Sequence, residues 1–391
     1  MTKDSHNTVK KVLLLTGTRA EYGLLKSSME EIRNHDDLSL SIVATGMHLS
    51  PKHGMTIEDI RDDGFTVDKE VLMQIDADSG SAMAKSLGVG VMGLTDAFED
   101  LDPDVVLLLG DRDEALAGTL AAAHLNIPVA HIHGGDSMHG AVIDDSIRHA
   151  ITKFAHLHFP ASELSAERIR KMGEEEWRIT ISGAPGLDDV LTGSFADPTE
   201  VLDRYELDPS RSLFLLVQHP VTTQPNRARE QMVVTLDAIE TFDAQVAIIY
   251  PNSDAGGDRI IEEIESREFS QSVRTFRSLP RGEYLALMDS ADVMIGNSSS
   301  AIIEAPSFNL PVVDIGPRQE GRERAKNTIS VSHDEDEIRK AISRGLEDED
   351  FIQQIRSNSN PYDYGGAGER IVKRLSEVDD LEGLLQKRLT Y

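Results

Sequence analysis

Short hydrophobic runs alternate with amphipathic segments along most of the chain. The runs Lys11–Thr16 and Val105–Gly110 are almost wholly apolar, and a glycine ends each of them. Runs this short without polar alternation are typical of strands buried on both faces of a parallel sheet. Segments such as Ser81–Leu101 have apolar residues at helical spacing and predict the connecting helices. This alternation predicts a doubly wound sheet with right-handed crossovers.

The alternation starts again after a segment rich in glycine and proline, Ile179–Leu187. The runs Ser212–Gln218, Val246–Tyr250 and Val293–Gly296 predict strands of a second sheet. We therefore expect an α/β protein of two Rossmann-like, doubly wound domains that face a cleft. The predicted limits are 1–185 for the first domain, 186–362 for the second, and 363–391 for a C-terminal helix that packs back on the first. Ligands of such sheets bind outside the carboxyl ends of the strands.

The charge balance excludes one class of partner. Aspartate and glutamate number 68 against 39 lysines and arginines, which gives a formal net charge of −29 over 391 residues. A field of this sign repels nucleic-acid backbones and anionic membrane surfaces, so we expect neither as a partner. Ordinary acidic solubility explains such a balance, and so does a halophilic host, where salt screens the repulsion between carboxylates. We favour the halophilic interpretation.

The residue types present also limit the compartment and the chemistry. The chain has no cysteine, which excludes a disulfide scaffold, a thiolate zinc site and a cysteine nucleophile. No apolar run approaches the ~18 residues needed to cross a bilayer, and Met1–Lys10 is polar, unlike a signal peptide. We therefore expect a cytoplasmic protein.

Polar residues gather directly after the predicted strands of the first half. Gly17-Thr18-Arg19 follows the first strand, and a turn that opens a helix beside an arginine suits a phosphate. The turn lacks the glycine pattern of nucleotide-binding loops. Asp111 and Arg112 follow the strand that ends at Gly110, where an aspartate serves equally well as a helix N-cap.

The densest group of titratable side chains lies between Ala130 and His149. Its members within these 20 positions are His131, His133, Asp136, His139, Asp144, Asp145, Arg148 and His149. Metal binding is one interpretation, but the spacing lacks the His-x-x-x-His of a helix-borne zinc pair, and His131 and His133 are predicted on one face of a strand. A structural network of loop caps is another. Acid/base catalysis fits better, because neighbouring carboxylates and a histidine split their pKa values by mutual repulsion.

The second half shows the same placement after its own strands. His219 and Asn252 follow two of them, and Ser298-Ser299 follows a third and opens a helix predicted to carry Glu304. Hydroxyls and unpaired N–H groups at a helix start suit a diphosphate, and a carboxylate one turn later suits ribose hydroxyls. Arg318 follows the last strand. Each is explained singly by a turn or cap, but together they outline an anion site that fits a sugar nucleotide.

Eight sequence blocks between Lys11 and Arg324 resemble the hydrolysing UDP-N-acetylglucosamine 2-epimerases, the enzymes that make N-acetylmannosamine for sialic acid. The blocks, in order, are GTRAEYGLL, TGMHLS, GDRDEALAGTLAAAHLNIPVAHIHGG, IDDSIRHAITKFAHLHF, QHPVTT, PNSDAG, IGNSSSAIIEAPSFNLPVV and GPRQEGRE. That family has the two-domain glycosyltransferase B-type fold, which agrees with the two α/β halves inferred from the hydrophobic pattern.

The resemblance implies a role for each group of candidate residues. The UDP-contacting positions of the family fall on Arg19, Arg112, His219, Asn252, Ser298, Ser299, Glu304 and Arg318. Its catalytic carboxylates fall on Asp111 and Asp144. Three positions depart from the pattern: a family serine is Gly23 here, a glutamate is His133, and a second glutamate is Asp136. Similar enzymes with a histidine in this strand act on related nucleotide sugars, including diacetamido sugars linked to UDP or GDP.

The reaction implied by the resemblance removes the C2 proton and the C1 nucleotide to give a glycal, which water then converts to the 2-epimer. We predict that Asp111, Asp144 and His133 share the proton transfers. Asp136 is expected to support them, and we predict neither a metal nor a cofactor. The predicted substrate is UDP-N-acetylglucosamine, the products are N-acetylmannosamine and UDP, and the family suggests a homodimer.

Four alternatives stay open at this point. The same chemistry on a UDP- or GDP-linked diacetamido sugar, of a legionaminic acid-type pathway, is the first. A non-hydrolysing epimerase is the second, although its pattern resembles GTRPE where this chain has GTRAE. A glycosyltransferase shares the fold but needs an acceptor, and the GDR and IDDS blocks argue against it. A non-catalytic sensor of nucleotide sugars has no need of the acid/base groups.

Overall fold

The computed structural model describes residues 9–75, 77, 79–138, 142–252, 254–269, 272–357 and 359–391. Its first half contains a parallel sheet with strand order β3-β2-β1-β4-β5-β6. The strands are β1 (Lys10–Thr16), β2 (Leu38–Thr45), β3 (Lys69–Val71), β4 (Val105–Leu109), β5 (Val129–Ile132) and β6 (Leu157–Phe159). The helices of this half are α1 (Arg19–Asn34), α2 (Ile57–Asp62), α3 (Gly80–Leu101), α4 (Asp113–His124), α5 (Val142–Phe154) and α6 (Glu163–Lys171).

Two further helices, α7 (Gly186–Thr192) and α8 (Pro198–Arg204), lead to a second parallel sheet of order β12-β11-β10-β7-β8-β9. Its strands are β7 (Leu213–Val217), β8 (Gln245–Ile249), β9 (Val273–Phe276), β10 (Val293–Gly296), β11 (Val312–Ile315) and β12 (Thr328–Val331). The helices are α9 (Ala228–Glu240), α10 (Gly257–Ser266), α11 (Arg281–Ser290), α12 (Ser299–Ile303), α13 (Glu335–Glu347) and α14 (Glu349–Arg356), then α15 (Ala367–Ser376) and α16 (Leu381–Leu385).

The two sheets have the same topology, and together they confirm the predicted pair of doubly wound α/β halves. Each sheet grows outward in both directions from its first strand, so the strand order reverses between β1 and β4 and again between β7 and β10. Ligands of doubly wound sheets bind where the order reverses. Residue 186 lies in the connection between the sheets, and the exact domain limits stay predictions.

Successive side chains of the central strands pack on opposite faces of the sheet, which explains why the short apolar runs form strands. Leu14 and Leu107 pack on one face of the first sheet in a cluster with Met29 of α1. Leu13 and Leu108 pack on the other face in a cluster with Phe98 of α3. Because successive side chains of a strand point to opposite faces, a strand covered on both sides has to be apolar at every position. No helix among the described residues is long and apolar enough to cross a membrane.

The chain passes between the halves twice, and the two crossings run side by side. The N–H of Ala184 on the first crossing donates to the carbonyl of Tyr362 on the second, at 3.1 Å. Helix α15 then packs on α1, and the Asp188 carboxylate accepts from the N–H groups of Ala367 and Gly368 at the start of α15, at 2.8 Å each. The second half is therefore joined to the first through its own C-terminal segment as well as through the connection before α7.

Candidate active site

The carboxyl ends of the central strands of both halves face one cleft. Polar contacts join its walls: Arg112 Nη1 lies 3.3 Å from Asp254 Oδ1, and Arg19 Nη1 donates to the Ser278 hydroxyl at 2.9 Å. On the rim, Lys52 Nζ lies 2.7 Å from Asp258 Oδ1. These contacts join the segment after β4 to the segment after β8, and the start of α1, which follows β1, to the segment after β9.

Asp111 stands at the end of β4, where Gly110 turns the chain with a left-handed φ of +87°. Its carboxylate accepts a hydrogen bond from the guanidinium of Arg148 on α5. Arg148 is almost completely buried, and it also donates to the carbonyl of His133 at 2.8 Å. Burial acts to lower the pKa of Arg148, but Asp111 and Asp136 outweigh it and raise that pKa. A permanently charged arginine therefore holds Asp111 in place.

His131 supports the same turn from within β5. Its Nε2 donates to the carbonyl of Gly110 at 2.7 Å, and its Nδ1 lies 3.4 Å from the Thr152 hydroxyl on α5. Burial lowers the pKa of this histidine to about 3, so the ring is neutral at physiological pH. A neutral ring that donates from Nε2 has Nδ1 available as an acceptor. His131 consequently ties the turn before Asp111 to helix α5.

Asp144 lies in the first turn of α5 and points toward the second half. Its Oδ2 lies 3.7 Å from Arg318 Nη2, and 13% of its side chain is exposed. Burial is the main cause that raises the pKa of Asp144, to about 7, and the charges of Asp254 and Asp111 add to it. Arg318 and Arg112 oppose the shift without cancelling it. This carboxyl group can therefore bind and release a proton near neutral pH.

His133 lies past the end of β5, which stops at Ile132. It has a left-handed φ of +61°, so the prediction from strand alternation that its ring shares a face with that of His131 does not apply. The ring is buried, and its Nδ1 lies 4.0 Å from Asp136 Oδ2. The structure therefore brings His133 and Asp136 together, next to Arg148.

Asp136 is a buried carboxylate with partners from both halves. The Ser165 hydroxyl donates to its Oδ1 at 2.7 Å, and Arg322 Nε lies 3.6 Å from its Oδ2. Burial alone acts to raise the pKa of Asp136, but His133 and Arg322 lower it far below its usual value. Asp136 is therefore ionised at any physiological pH and supplies a fixed negative charge.

The second half presents a histidine in a defined tautomer. The backbone N–H of Asn252 donates to His219 Nδ1 at 3.1 Å. The backbone N–H of His219 donates to Asn297 Oδ1 at 2.7 Å. Burial and Arg318 lower the pKa of His219 to about 3, so the ring is neutral. Because Nδ1 accepts, the ring proton is on Nε2, which leaves a hydrogen-bond donor for a ligand.

Ser298 and Ser299 open a helix as predicted, but Glu304 lies at the end of that helix instead of within it. Ser298 caps α12, which begins at Ser299 and ends at Ile303, so Glu304 terminates the helix and is not part of a longer one. A 3-10 helix, Ala305–Phe308, follows with Pro306 in its first turn. The buried Glu304 carboxylate accepts from Arg281 Nη2 at 2.5 Å. A ribose hydroxyl that donates to Glu304 would therefore bind a carboxylate that already accepts from Arg281.

Arg281 also explains one departure from the family pattern. A side-chain carbon added at Gly23 would lie 2.6 Å from Arg281 Cδ. The serine found at this position in the family cannot coexist with Arg281 as it is placed here, so Gly23 leaves room for it. Arg19 is paired with Asp59 at 2.8 Å and with Ser278. Among the described contacts, none joins Arg19 to Glu304, Ser298 or Ser299.

Three cleft residues were missed from the sequence: Asp254, Arg281 and Arg322. Asp254 belongs to the PNSDAG block, of which only Asn252 was selected, and it is buried between Asn252 Nδ2 at 2.7 Å and Arg112. The presence of an acidic residue two positions after Asn252 was the available signal. His139 lies outside the described residues, and among those described no group of three or more histidine, aspartate or glutamate side chains is placed to hold a metal ion.

The chain is similar to proteins of one family over most of its length. A family described as UDP-N-acetylglucosamine 2-epimerase matches residues 30–376. A UDP-N,N'-diacetylbacillosamine 2-epimerase (hydrolyzing) from Legionella pneumophila is 39% identical, over 98% of this chain and 100% of its own. A UDP-N-acetylglucosamine 2-epimerase from Neisseria meningitidis is 33% identical, over 86% of this chain and 87% of its own.

A solved structure shares the fold. The crystal structure of a UDP-GlcNAc 2-epimerase from Neisseria meningitidis bound to UDP-GlcNAc superimposes with a TM-score of 0.79. The match covers 93% of this chain and 99% of the other, at 19% identity. This similarity confirms the predicted glycosyltransferase B-type arrangement of the two halves.

Proposed function

The chain belongs to the UDP-N-acetylglucosamine 2-epimerase family, and on that premise we propose that it is a hydrolysing 2-epimerase of a UDP-linked 2-acetamido sugar. One observation carries the proposal. Asp144, with a pKa of about 7, lies in the same cleft as Arg112 and Arg318, which come from opposite halves. A proton-transfer group and two cations that suit a diphosphate are what this reaction requires.

The first step is an elimination. The C2–H bond breaks and its proton passes to a protein base, while the C1–O bond breaks and its electron pair leaves with UDP. Arg112 and Arg318 stabilise the charge that develops on the departing diphosphate. His219 Nε2 and the Ser298 and Ser299 hydroxyls are the further donors that we assign to the nucleotide, with Asn252 and Arg19.

The second step adds water to the resulting glycal. An acid delivers a proton to C2 from the opposite face, water attacks C1, and a base takes the proton of that water. We assign the proton transfers to Asp144, Asp111 and His133. Asp144 is suited to act in both steps because its pKa is near neutral. Arg148 fixes the position of Asp111, and the ionised Asp136 faces the His133 ring.

For the sugar, we propose a UDP-linked diacetamido sugar of the bacillosamine type. Two observations support this choice over UDP-N-acetylglucosamine. The Legionella relative with that name is more similar than the Neisseria relative and matches nearly the whole chain. His133 also stands where the family pattern has a glutamate. UDP-N-acetylglucosamine, the substrate predicted first, remains the second candidate because of the 33% identity with the Neisseria enzyme.

The test supplies each nucleotide sugar separately and measures free UDP by chromatography and the released sugar by NMR. Release of UDP with the 2-epimer of the diacetamido sugar supports the first proposal. Release of N-acetylmannosamine from UDP-N-acetylglucosamine, with no activity on the other, supports the second. A 2-epimer still attached to UDP would overturn the hydrolysing reaction, and transfer to an acceptor would indicate a glycosyltransferase.

Four further expectations accompany the proposed activity. We infer a homodimer from the family alone, and light scattering of the purified protein tests it. A cytoplasmic location and a halophilic source stay predictions from the sequence. The proposal includes no metal and no cofactor, and turnover after dialysis against EDTA tests that part.

A further inference from the structure

Asp254 is a buried acidic side chain in the cleft to which no role has been assigned so far. Only 3% of the residue is exposed, and its carboxylate is approached from three sides. Arg112 of the first half lies 3.3 Å from Oδ1, Asn252 Nδ2 donates to Oδ2 at 2.7 Å, and Arg318 Nη2 lies 3.9 Å from Oδ2. The carboxylate thus sits between two arginines of opposite halves.

These are the two arginines to which the diphosphate of the substrate is assigned above. A diphosphate that pairs with Arg112 and Arg318 comes close to the Asp254 carboxylate as well, because that carboxylate lies within 4 Å of both guanidinium groups. Like charges brought together in a buried site repel strongly, since little water is present to screen them. The nucleotide and Asp254 therefore compete for the same cations.

We propose that Asp254 is an internal counter-anion that competes with the diphosphate for Arg112 and Arg318 and so limits the affinity for UDP. The inference rests on the proposed function and concerns the same site. In the absence of nucleotide, Asp254 keeps the two arginines paired and oriented across the cleft. With nucleotide present, it weakens the hold on UDP and so speeds release of this product.

The opposite interpretation makes Asp254 a direct acceptor for substrate N–H or O–H groups. The two interpretations predict opposite changes in UDP affinity for the same variant. If Asp254 is a competitor, Asp254→Asn binds UDP more tightly than the wild type does. If it is an acceptor for the ligand, Asp254→Asn binds more weakly.

The experiment is calorimetric titration of UDP into wild-type protein, Asp254→Asn and Asp258→Asn. Asp258 is a matched control, because it is an acidic residue four positions on that also pairs across the cleft, with Lys52, but is 40% exposed on the rim. We expect Asp254→Asn to lower the Kd for UDP at least about fivefold. We expect Asp258→Asn to stay within about twofold of the wild type, as for an exposed ion pair.

An unchanged or higher Kd for Asp254→Asn would overturn the inference. Failure of the wild type to bind UDP would instead contradict the proposed function, so the two failures are distinguishable. Should Asp254→Asn not fold, Asp254→Ser is titrated in its place, and it too is expected to lower the Kd for UDP.

Discussion

Replacing Asp144 with asparagine should abolish most of the activity and yet stabilise the protein at alkaline pH. The carboxyl group is buried near Asp254 and Asp111, which raises its pKa from the ordinary 3.8 to about 7. A raised pKa in the folded state means that ionisation of Asp144 opposes folding. Stability is lost as the pH rises from the unfolded pKa to the folded one, here from about 4 to about 7.

The structure sets the size of both effects. At about 1.4 kcal/mol per pKa unit, the shift corresponds to up to about 4 kcal/mol of stability lost above pH 7, which an uncharged asparagine restores. For catalysis, loss of a positioned acid or base reduces kcat by about 10²–10⁴-fold. In the wild type, if the protonated form is the active one, kcat/KM should fall about tenfold per pH unit above 7.

Urea unfolding at pH 5 and pH 8, with UDP release followed between pH 5 and 9, measures these effects. The control is Asp145→Asn, because Asp145 is the next residue on the same helix turn. Burial acts to raise the pKa of Asp145, but His149 and the Met138 N–H lower it. Replacement of Asp145 should therefore leave the decrease in kcat/KM above pH 7 unchanged. A flat wild-type profile, or an Asp144→Asn variant no more stable than wild type at pH 8, would refute the reasoning.

Four further predictions concern the rest of the site and the charge of the chain. Asp111→Asn should lower kcat by about 10²–10⁴-fold with UDP affinity retained, and near-normal turnover would remove Asp111 from the proton transfers. Arg19→Ala and Glu304→Ala should each weaken UDP binding by about 1–3 kcal/mol in calorimetry, with or without EDTA; unchanged affinity in both would place the nucleotide elsewhere. His133→Gln should change the shape of the pH–rate profile and reduce turnover more than about tenfold. If the pH–rate profile of His133→Gln runs parallel to that of the wild type and turnover falls less than about tenfold, His133 only lines the sugar pocket and Asp136 becomes the third catalytic group. Raising KCl from about 0.1 M to about 1 M should increase the urea midpoint, because the screening length falls from about 10 Å to about 3 Å, and a midpoint independent of salt would contradict adaptation to high salt.

The sequence predicts the central strands well because burial on both faces allows only apolar residues there. The strands β3, β6 and β12 were not predicted. They have three or four residues, and β3, with the sequence Lys-Glu-Val, lacks any apolar run. Edge strands of this length depend on pairing with a neighbour, which a local pattern does not reveal. Helix α12 is shorter than predicted because Pro306 prevents its continuation.

The candidate site was predicted as separate groups, and its connections came only with the structure. The order of strands allowed the residues after β4 and β10 to be placed near a cleft. The pairs between Arg112 and Asp254 and between Arg148 and Asp111 are 142 and 37 residues apart along the chain. The first pair depends on how the two halves are oriented and the second on how α5 packs beside β4, and no local spacing encodes either. The near-neutral pKa of Asp144 has the same origin, because two of the charges that set it come from the other half.

The double crossing between the halves has a consequence for how the cleft opens. Two adjacent chain segments, held together by the bond from Ala184 to Tyr362, restrict relative motion of the halves to rotation about a hinge that passes through both. Glycines with left-handed φ lie on each segment, Gly183 at +81° and Gly366 at +60°. Sliding or twisting apart would strain both segments at once. Opening should therefore be a hinge rotation that separates Lys52 from Asp258, because this pair joins the two halves at the rim.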